Sequence, residues 1–86
     1  MSINVLLVDD HPVVRSGLAG LLSATDDLVV VGEAADGEAA IASVGSLSPD
    51  VVLMDISMPG MGGIEATRTL LDDGFEGAVV MLTSFS

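Results

Sequence analysis

Aspartates follow two short apolar segments of the sequence, and their positions suit them to bind a cation or a phosphate group. Asp9 and Asp10 come directly after segment 4–8, and Asp55 comes directly after segment 51–54. Short runs of branched aliphatic residues are typical of strands buried on both faces of a parallel sheet. Functional groups in such sheets gather beyond the carboxyl ends of the strands. We therefore expect the three carboxylates to meet in one crevice if the two strands are neighbours.

Three carboxylates in one crevice repel one another. At a separation of about 4 Å and an effective dielectric constant near 20, each pair costs roughly 4 kcal/mol. A hard divalent cation with oxygen ligands, such as Mg²⁺, relieves this repulsion most simply. The sequence therefore predicts a metal-dependent phosphate site at Asp9, Asp10 and Asp55.

These residues also have simpler structural interpretations. An Asp before a helix is often its N-terminal cap, but a cap explains one acid and not an adjacent pair that faces a third. Asp55 lies between apolar residues, which is a costly place for a charge without a function. His11 has no second His and no Cys to complete a metal site, so we interpret it as packing at a helix start. Pro59 and the glycines after it are expected to shape a loop backbone.

Composition limits the partners that this chain can bind. The 86 residues make one small domain, with half of them apolar and a formal net charge of −11. Thirteen acids oppose only Arg15 and Arg68, so we expect no contact with nucleic acid or with an anionic membrane. The absence of cysteine favours a cytoplasmic location. The apolar stretches are too short to cross a bilayer, and none has the pattern of a signal peptide.

The chain alternates between strand and helix patterns. A helix is expected to start at His11-Pro12 and a second at Asp36-Gly37, because Pro and Asp favour helix starts. The predicted strands are 4–8, 28–31, 51–54 and 78–82, and the third helix is 64–71. Apolar faces are predicted at Val14, Leu18, Leu21, Leu22 and Thr25 of the first helix and at Ala40, Ile41 and Val44 of the second. Such alternation predicts an α/β fold with right-handed crossovers and a parallel sheet.

Two longer stretches resemble the receiver domain of bacterial two-component response regulators. They are NVLLVDDHPVVRSGLAGLL (4–22) and SPDVVLMDISMPGMGGIEATR (48–68). DDHPVVRSGL is most similar to the NarL/FixJ subfamily, whose receivers are joined to a C-terminal helix-turn-helix domain that regulates transcription. The resemblance covers the whole chain. It implies a flavodoxin-like, doubly wound sheet with strand order 2-1-3-4-5.

The resemblance also assigns roles to particular residues. Asp55 would accept a phosphoryl group from a sensor histidine kinase. Asp10 would bind Mg²⁺ directly and Asp9 through water, with Asp55 and the backbone carbonyl of Ser57 as further ligands. The hydroxyl of Thr83 would move toward the phosphoryl group and report its presence. A carboxylate is a competent nucleophile when a metal neutralises charge on the transferred phosphoryl oxygens.

The sequence departs from the family pattern in three respects. It contains no lysine, whereas receivers carry one at the end of a fifth strand to pair with the phosphoryl group. The fourth helix, fifth strand and fifth helix of the family are absent, so residues 1–86 are expected to be a C-terminally shortened receiver without an output domain. Gly62 stands where relatives usually carry Asp. We expect phosphorylation of this chain to be slow, and a homodimer to form through the edge of strand 78–82 or by exchange of terminal elements.

Two other functions remain open from the residues alone. One is a fragment with impaired phosphotransfer that acts as a self-association or interaction module. The other is a phosphohydrolase with an Asp nucleophile, whose motif needs a second Asp two residues after the first. Ser57 occupies that position here, so we expect no enzymatic activity.

Overall fold

Strands and helices alternate along the whole described part of the chain. The computed structural model describes residues 2–82. Its elements are β1 (Ile3–Val8), α1 (Pro12–Ser23), β2 (Leu28–Ala34), α2 (Gly37–Leu47), β3 (Val51–Asp55), α3 (Gly63–Asp72) and β4 (Ala78–Leu82). All neighbouring strands pair in parallel, in the order β2-β1-β3-β4. The predicted doubly wound α/β fold is confirmed for these four strands and three helices.

The core lies mainly on one face of the sheet. Residues two apart on a strand point to the same face, and this alternation sends Leu6 and Val8 of β1 toward α2 and α3. The core cluster consists of Leu6, Val8, Ala34, Ala40, Val52, Met54, Met58, Ala66 and Leu70. Ile41 and Val44 pack against it, so the predicted inner face of α2 is confirmed. Met54 of β3 and Met58 of the following loop are members of this core cluster.

The prediction of an apolar inner face on α1 was wrong in its extent, because it included residues that the structure leaves exposed or outside the helix. Helix α1 contains no buried residue, and Leu21 remains 72% exposed. Thr25 lies beyond the helix end at Ser23. The physical reason is that α1 is the sole helix on its side of the sheet within residues 2–82, so one flank of α1 meets solvent. The domain is correspondingly thin, with principal extents of 32 × 32 × 17 Å.

Strand β2 is longer than predicted and continues past Gly32 to Ala34. A register shift between Val5 and Leu6 of β1 lets Gly32 pair with Leu6 and Ala34 pair with Val8. A Cβ at Gly32 would lie 2.6 Å from the end of the Leu47 side chain, so a larger residue there would require Leu47 to move. The extension matters for the site, because the Asp9 N–H donates to the Ala34 carbonyl at 3.0 Å.

The predicted start of α2 is confirmed. Asp36 is its N-cap, and the Asp36 carboxylate accepts the backbone N–H of Ala39 at 2.7 Å. This bond satisfies one of the N–H groups that a helix start leaves unpaired. In the described part of the chain, no helix has both the length and the apolarity that crossing a membrane requires.

Candidate metal and phosphate site

The acids predicted to converge do so at the carboxyl ends of β1 and β3. These strands are direct neighbours, with Val8 paired to Met54, so Asp9 and Asp55 follow paired positions. Asp9, Asp10, His11 and Asp55 each offer one ligand atom, and these four atoms lie within 4.8 Å of one another. We call these four residues the acid cluster.

Asp55 is the most buried member of the acid cluster, with 2% of its surface exposed. Its Oδ1 accepts the backbone N–H of Ser57 at 3.0 Å. Its Oδ2 is buried and has no hydrogen-bond partner among residues 2–82. Burying an unpaired carboxylate oxygen is costly, and a bound ion or a catalytic role is among the explanations for such an atom in a native fold. The donor set of three carboxylates fits a hard divalent cation.

Asp9 and Asp10 differ in their surroundings. The Asp9 side chain is 8% exposed, and its Oδ1 accepts the His11 backbone N–H at 2.7 Å. The Asp10 side chain is 23% exposed, yet its Oδ1 is buried and finds no hydrogen-bond partner within the described range. The N-cap of α1 is His11, and within residues 2–82 no side chain makes a capping hydrogen bond at this helix start. The interpretation of the pair as a simple helix cap is therefore wrong.

His11 was wrongly interpreted as packing at the helix start. Its side chain is 59% exposed, and Nδ1 lies 3.2 Å from Asp9 Oδ1 and 3.0 Å from Asp10 Oδ1. The imidazole therefore belongs to the acid cluster. The signal available in the sequence was its position directly after the two acids.

Arg15 is a second residue that the sequence analysis did not connect with the site. Its Nη1 donates to the backbone carbonyl of Asp9 at 2.7 Å, and its Nε donates to Glu33 Oε1 at 2.9 Å. Arg15 therefore ties the loop after β1 to the end of β2. It lies one helical turn after His11, a spacing that places both residues on one side of α1.

The loop between β3 and α3 approaches the site through its backbone. The Gly63 N–H donates to the Ile56 carbonyl at 3.2 Å, and a Cβ at Gly63 would overlap the Asp55 carbonyl oxygen. Gly60 has a φ of 71°, in the left-handed region that favours glycine. The prediction that these glycines shape the loop is confirmed. Ser57 is exposed beside Asp55, its carbonyl stays a predicted ligand, and Thr83 lies outside the described residues.

Comparison with known proteins places this geometry in a family. The sequence matches the response regulator receiver domain family over residues 5–86. It is 49% identical over 83 residues to the transcriptional regulatory protein LiaR of Bacillus subtilis, covering 96% of this chain and 39% of LiaR. It is also 49% identical over 85 residues to the response regulator VraR of Staphylococcus aureus, covering 99% of this chain and 41% of VraR. The chain thus spans about two-fifths of the length of these curated relatives.

Solved structures agree with the sequence comparison. The response regulator domain of Thermotoga maritima CheB has a TM-score of 0.93 at 38% identity, over 98% of this chain and 62% of that one. A LuxR-family two-component response regulator from Aurantimonas sp. SI85-9A1 has a TM-score of 0.93 at 37% identity, covering 100% of this chain and 61% of that one. A chain of the CheX–CheY–BeF₃–Mg²⁺ complex from Borrelia burgdorferi has a TM-score of 0.88 at 28% identity, covering 96% of this chain and 63% of that one. The chain belongs to the receiver domain family of two-component response regulators.

Proposed function

We propose that Asp55 accepts a phosphoryl group from a sensor histidine kinase while the carboxylates of the acid cluster hold Mg²⁺. The observation that supports this proposal is the unpaired Oδ2 of Asp55, buried beside the carboxylates of Asp9 and Asp10. Asp10 would ligate the cation directly, Asp9 through water, and Asp55 and the Ser57 carbonyl would complete the protein ligands. The similar Borrelia complex, which contains CheY, BeF₃ and Mg²⁺, supports a role for this cation in a receiver-family protein.

The chain's own residues orient the nucleophile. The Ser57 N–H holds one oxygen of Asp55 and leaves the other available for reaction. An Asp55 oxygen forms a bond to phosphorus as the N–P bond of the donor phosphohistidine breaks, and the imidazole that leaves takes a proton from solvent. Bound Mg²⁺ supplies charge neutralisation at the phosphoryl oxygens. The Thr83 hydroxyl is proposed to donate to the transferred group.

A small-molecule phosphodonor such as acetyl phosphate tests this proposal without the kinase. We expect intact-mass analysis to show one added phosphoryl group in the presence of Mg²⁺ and none in EDTA. Asp55→Asn should abolish the modification. The matched control Asp26→Asn also removes one acid, from an exposed turn, and should be modified like the wild type. Modification of Asp55→Asn, or modification that is independent of Mg²⁺, would contradict the proposal.

For the longer protein to which such a domain belongs, we propose transcription regulation. This rests on LiaR and VraR, which are named as regulators and are about two and a half times longer than this chain. DNA contact is assigned to other parts of that protein, because a net charge of −11 opposes binding of a polyanion. A cytoplasmic location is consistent with the cysteine-free sequence.

We also propose that this chain self-associates through β4 or by exchange of terminal elements. Strand β4 lies at the border of the sheet formed by residues 2–82, and Val80 on it is 45% exposed. Ala78–Leu82 contains neither proline nor charge, the features that usually protect edge strands. The net charge opposes association, so screening by salt should strengthen it.

Sedimentation velocity at low and high salt tests this association. We expect a dimer that associates more tightly at high salt. We also expect the substitution Val80→Lys to weaken this dimer. Val29→Lys is the matched control, because Val29 is 42% exposed on β2 at the opposite border of the sheet. A monomer at high protein concentration in both salts, or equal effects of the two substitutions, would contradict association through β4.

A further inference from the structure

We infer that, within the acid cluster, His11 adds a nitrogen ligand to the three carboxylates. The cluster would then bind first-row transition metals such as Ni²⁺ and Zn²⁺ as well as Mg²⁺. This inference rests on the proposed cation site at Asp9, Asp10 and Asp55. It concerns which metals that site accepts and which side chain makes the distinction.

The separation between His11 and Asp10 fits two ligands of a single ion. Metal–ligand bonds of about 2.0–2.1 Å place adjacent ligands of a tetrahedral or octahedral ion roughly 2.9–3.4 Å apart. His11 Nδ1 lies 3.0 Å from Asp10 Oδ1 and 3.2 Å from Asp9 Oδ1. The separation from Asp10, the proposed direct ligand, matches an edge of such a coordination polyhedron, whereas the contact with Asp9 has hydrogen-bond geometry when Nδ1 carries the proton.

The unpaired carboxylate oxygens are a second, independent indication of a ligand. Asp55 is 98% buried, and within residues 2–82 its Oδ2 has no hydrogen-bond partner. Asp10 Oδ1 is also buried and lacks a partner in that range, although His11 Nδ1 is only 3.0 Å away. That contact has the distance of a hydrogen bond but not its geometry. A cation bound to both atoms would explain why a nitrogen and an oxygen approach so closely without a shared proton.

The local backbone holds His11 at this position. His11 precedes Pro12, and a residue before proline is restricted to extended backbone. Its φ of −99° and ψ of 108° are in that region. The His11 N–H also donates to Asp9 Oδ1 at 2.7 Å, which holds the backbone close to the acids. Because the imidazole is 59% exposed, solvent can reach its other nitrogen when Nδ1 binds a metal.

The mixed ligand set separates metals by their chemistry. Mg²⁺ prefers oxygen ligands and keeps several waters, so His11 should contribute little to its affinity. Imidazole nitrogen suits Ni²⁺, Cu²⁺ and Zn²⁺, whose affinities for nitrogen ligands exceed those of Mn²⁺ and Fe²⁺. His11 should therefore act on transition-metal binding and leave Mg²⁺ binding nearly unchanged.

Titration calorimetry on the untagged chain tests this inference with Ni²⁺ and Mg²⁺ as separate probes. We expect His11→Asn to weaken Ni²⁺ binding by about tenfold or more, because it removes the imidazole nitrogen, and to change Mg²⁺ affinity by less than about twofold. Asp10→Asn should weaken both metals. Urea unfolding of each variant checks that the fold is retained, and Asn suits the N-cap position that His11 occupies.

NMR gives a direct readout, because His11 is the sole histidine of the chain. Zn²⁺ should shift the Nδ1 resonance of its imidazole, while Mg²⁺ should not. Equal Ni²⁺ affinity in wild type and His11→Asn, with Mg²⁺ binding intact, would overturn the role of His11 and leave the proposed phosphorylation site standing. Failure of the wild type to bind Mg²⁺, with Ni²⁺ binding still dependent on His11, would instead overturn the proposed Mg²⁺ site and support the nitrogen ligand.

Discussion

Replacing Asp55 with Asn should stabilise the metal-free fold, although Asp55 lies at the centre of the proposed function. The substitution removes one of three negative charges at the ends of β1 and β3. The ligand atoms of the acid cluster lie within 4.8 Å of one another, where two unit charges repel by about 3.5 kcal/mol at an effective dielectric constant near 20. Asp55 forms one such pair with Asp9 and one with Asp10, so the repulsion removed before any screening is about 7 kcal/mol at this separation.

Three effects reduce this unscreened repulsion. The Asp10 side chain is 23% exposed, so water screens part of its charge. The Ser57 N–H would donate to a neutral amide oxygen in place of a carboxylate, which costs about 1 kcal/mol. Part of the same repulsion persists in the unfolded chain, so the repulsion destabilises the folded state relative to the unfolded state by less than its full value. We therefore expect a net gain of about 2–3 kcal/mol in the free energy of unfolding.

Urea unfolding followed by far-UV circular dichroism measures this gain, because urea is uncharged and the chain contains no Trp or Tyr. In EDTA, the free energy of unfolding of Asp55→Asn should exceed that of the wild type. The control Asp26→Asn should differ from the wild type by less than about 0.5 kcal/mol. Millimolar Mg²⁺ should stabilise the wild type more than Asp55→Asn and narrow the difference. If Asp55→Asn is no more stable than Asp26→Asn in EDTA, the carboxylates do not repel as the geometry requires.

Three further substitutions test how the scaffold positions the site, each by urea unfolding. Gly63→Ala should lower the free energy of unfolding by about 1–3 kcal/mol, because its Cβ would overlap the Asp55 carbonyl; Gly17→Ala, with open space around it, should not destabilise the fold. Asp36→Ala should cost about 1 kcal/mol through loss of the α2 cap, and a Ser at that position should restore most of it. Arg15→Gln should cost about 1 kcal/mol by releasing the Asp9 carbonyl, and an equal loss in the exposed control Arg68→Gln would point to net charge as the cause.

The fold was predictable because its signals are local. Each strand is a short branched aliphatic run, and Pro12 and Asp36 mark helix starts by known backbone chemistry. Two features depended on tertiary context. The continuation of β2 through Gly32 needs the register shift at Val5, and the exposure of α1 reflects what covers each face of the sheet. Neither is encoded in the hydrophobic period of a single segment.

The carboxylates of the site were predictable for the same reason, and its nitrogen groups were not. Asp9 and Asp55 follow strand ends, so the parallel topology alone brings them together. The place of His11 depends on the chain direction between Asp10 and Pro12, where an exposed side chain has several allowed rotamers. The two bonds of Arg15 to Asp9 and Glu33 depend on how α1 lies across β1 and β2. Such contacts follow from packing angles and not from residue spacing.

The connection between core and site explains why the charge repulsion persists in the fold. Val8 and Met54 are almost fully buried, and each directly precedes an acid of the cluster. The acids cannot separate without moving strand ends that are fixed by ladder hydrogen bonds and by close packing, which interiors resist. A bound cation or the loss of a charge would therefore relieve repulsion at the cluster, whereas the backbone cannot relax to do so. Occupancy of the site and the stability of the fold are linked for this reason, and a ligand that binds the folded state alone must raise its stability.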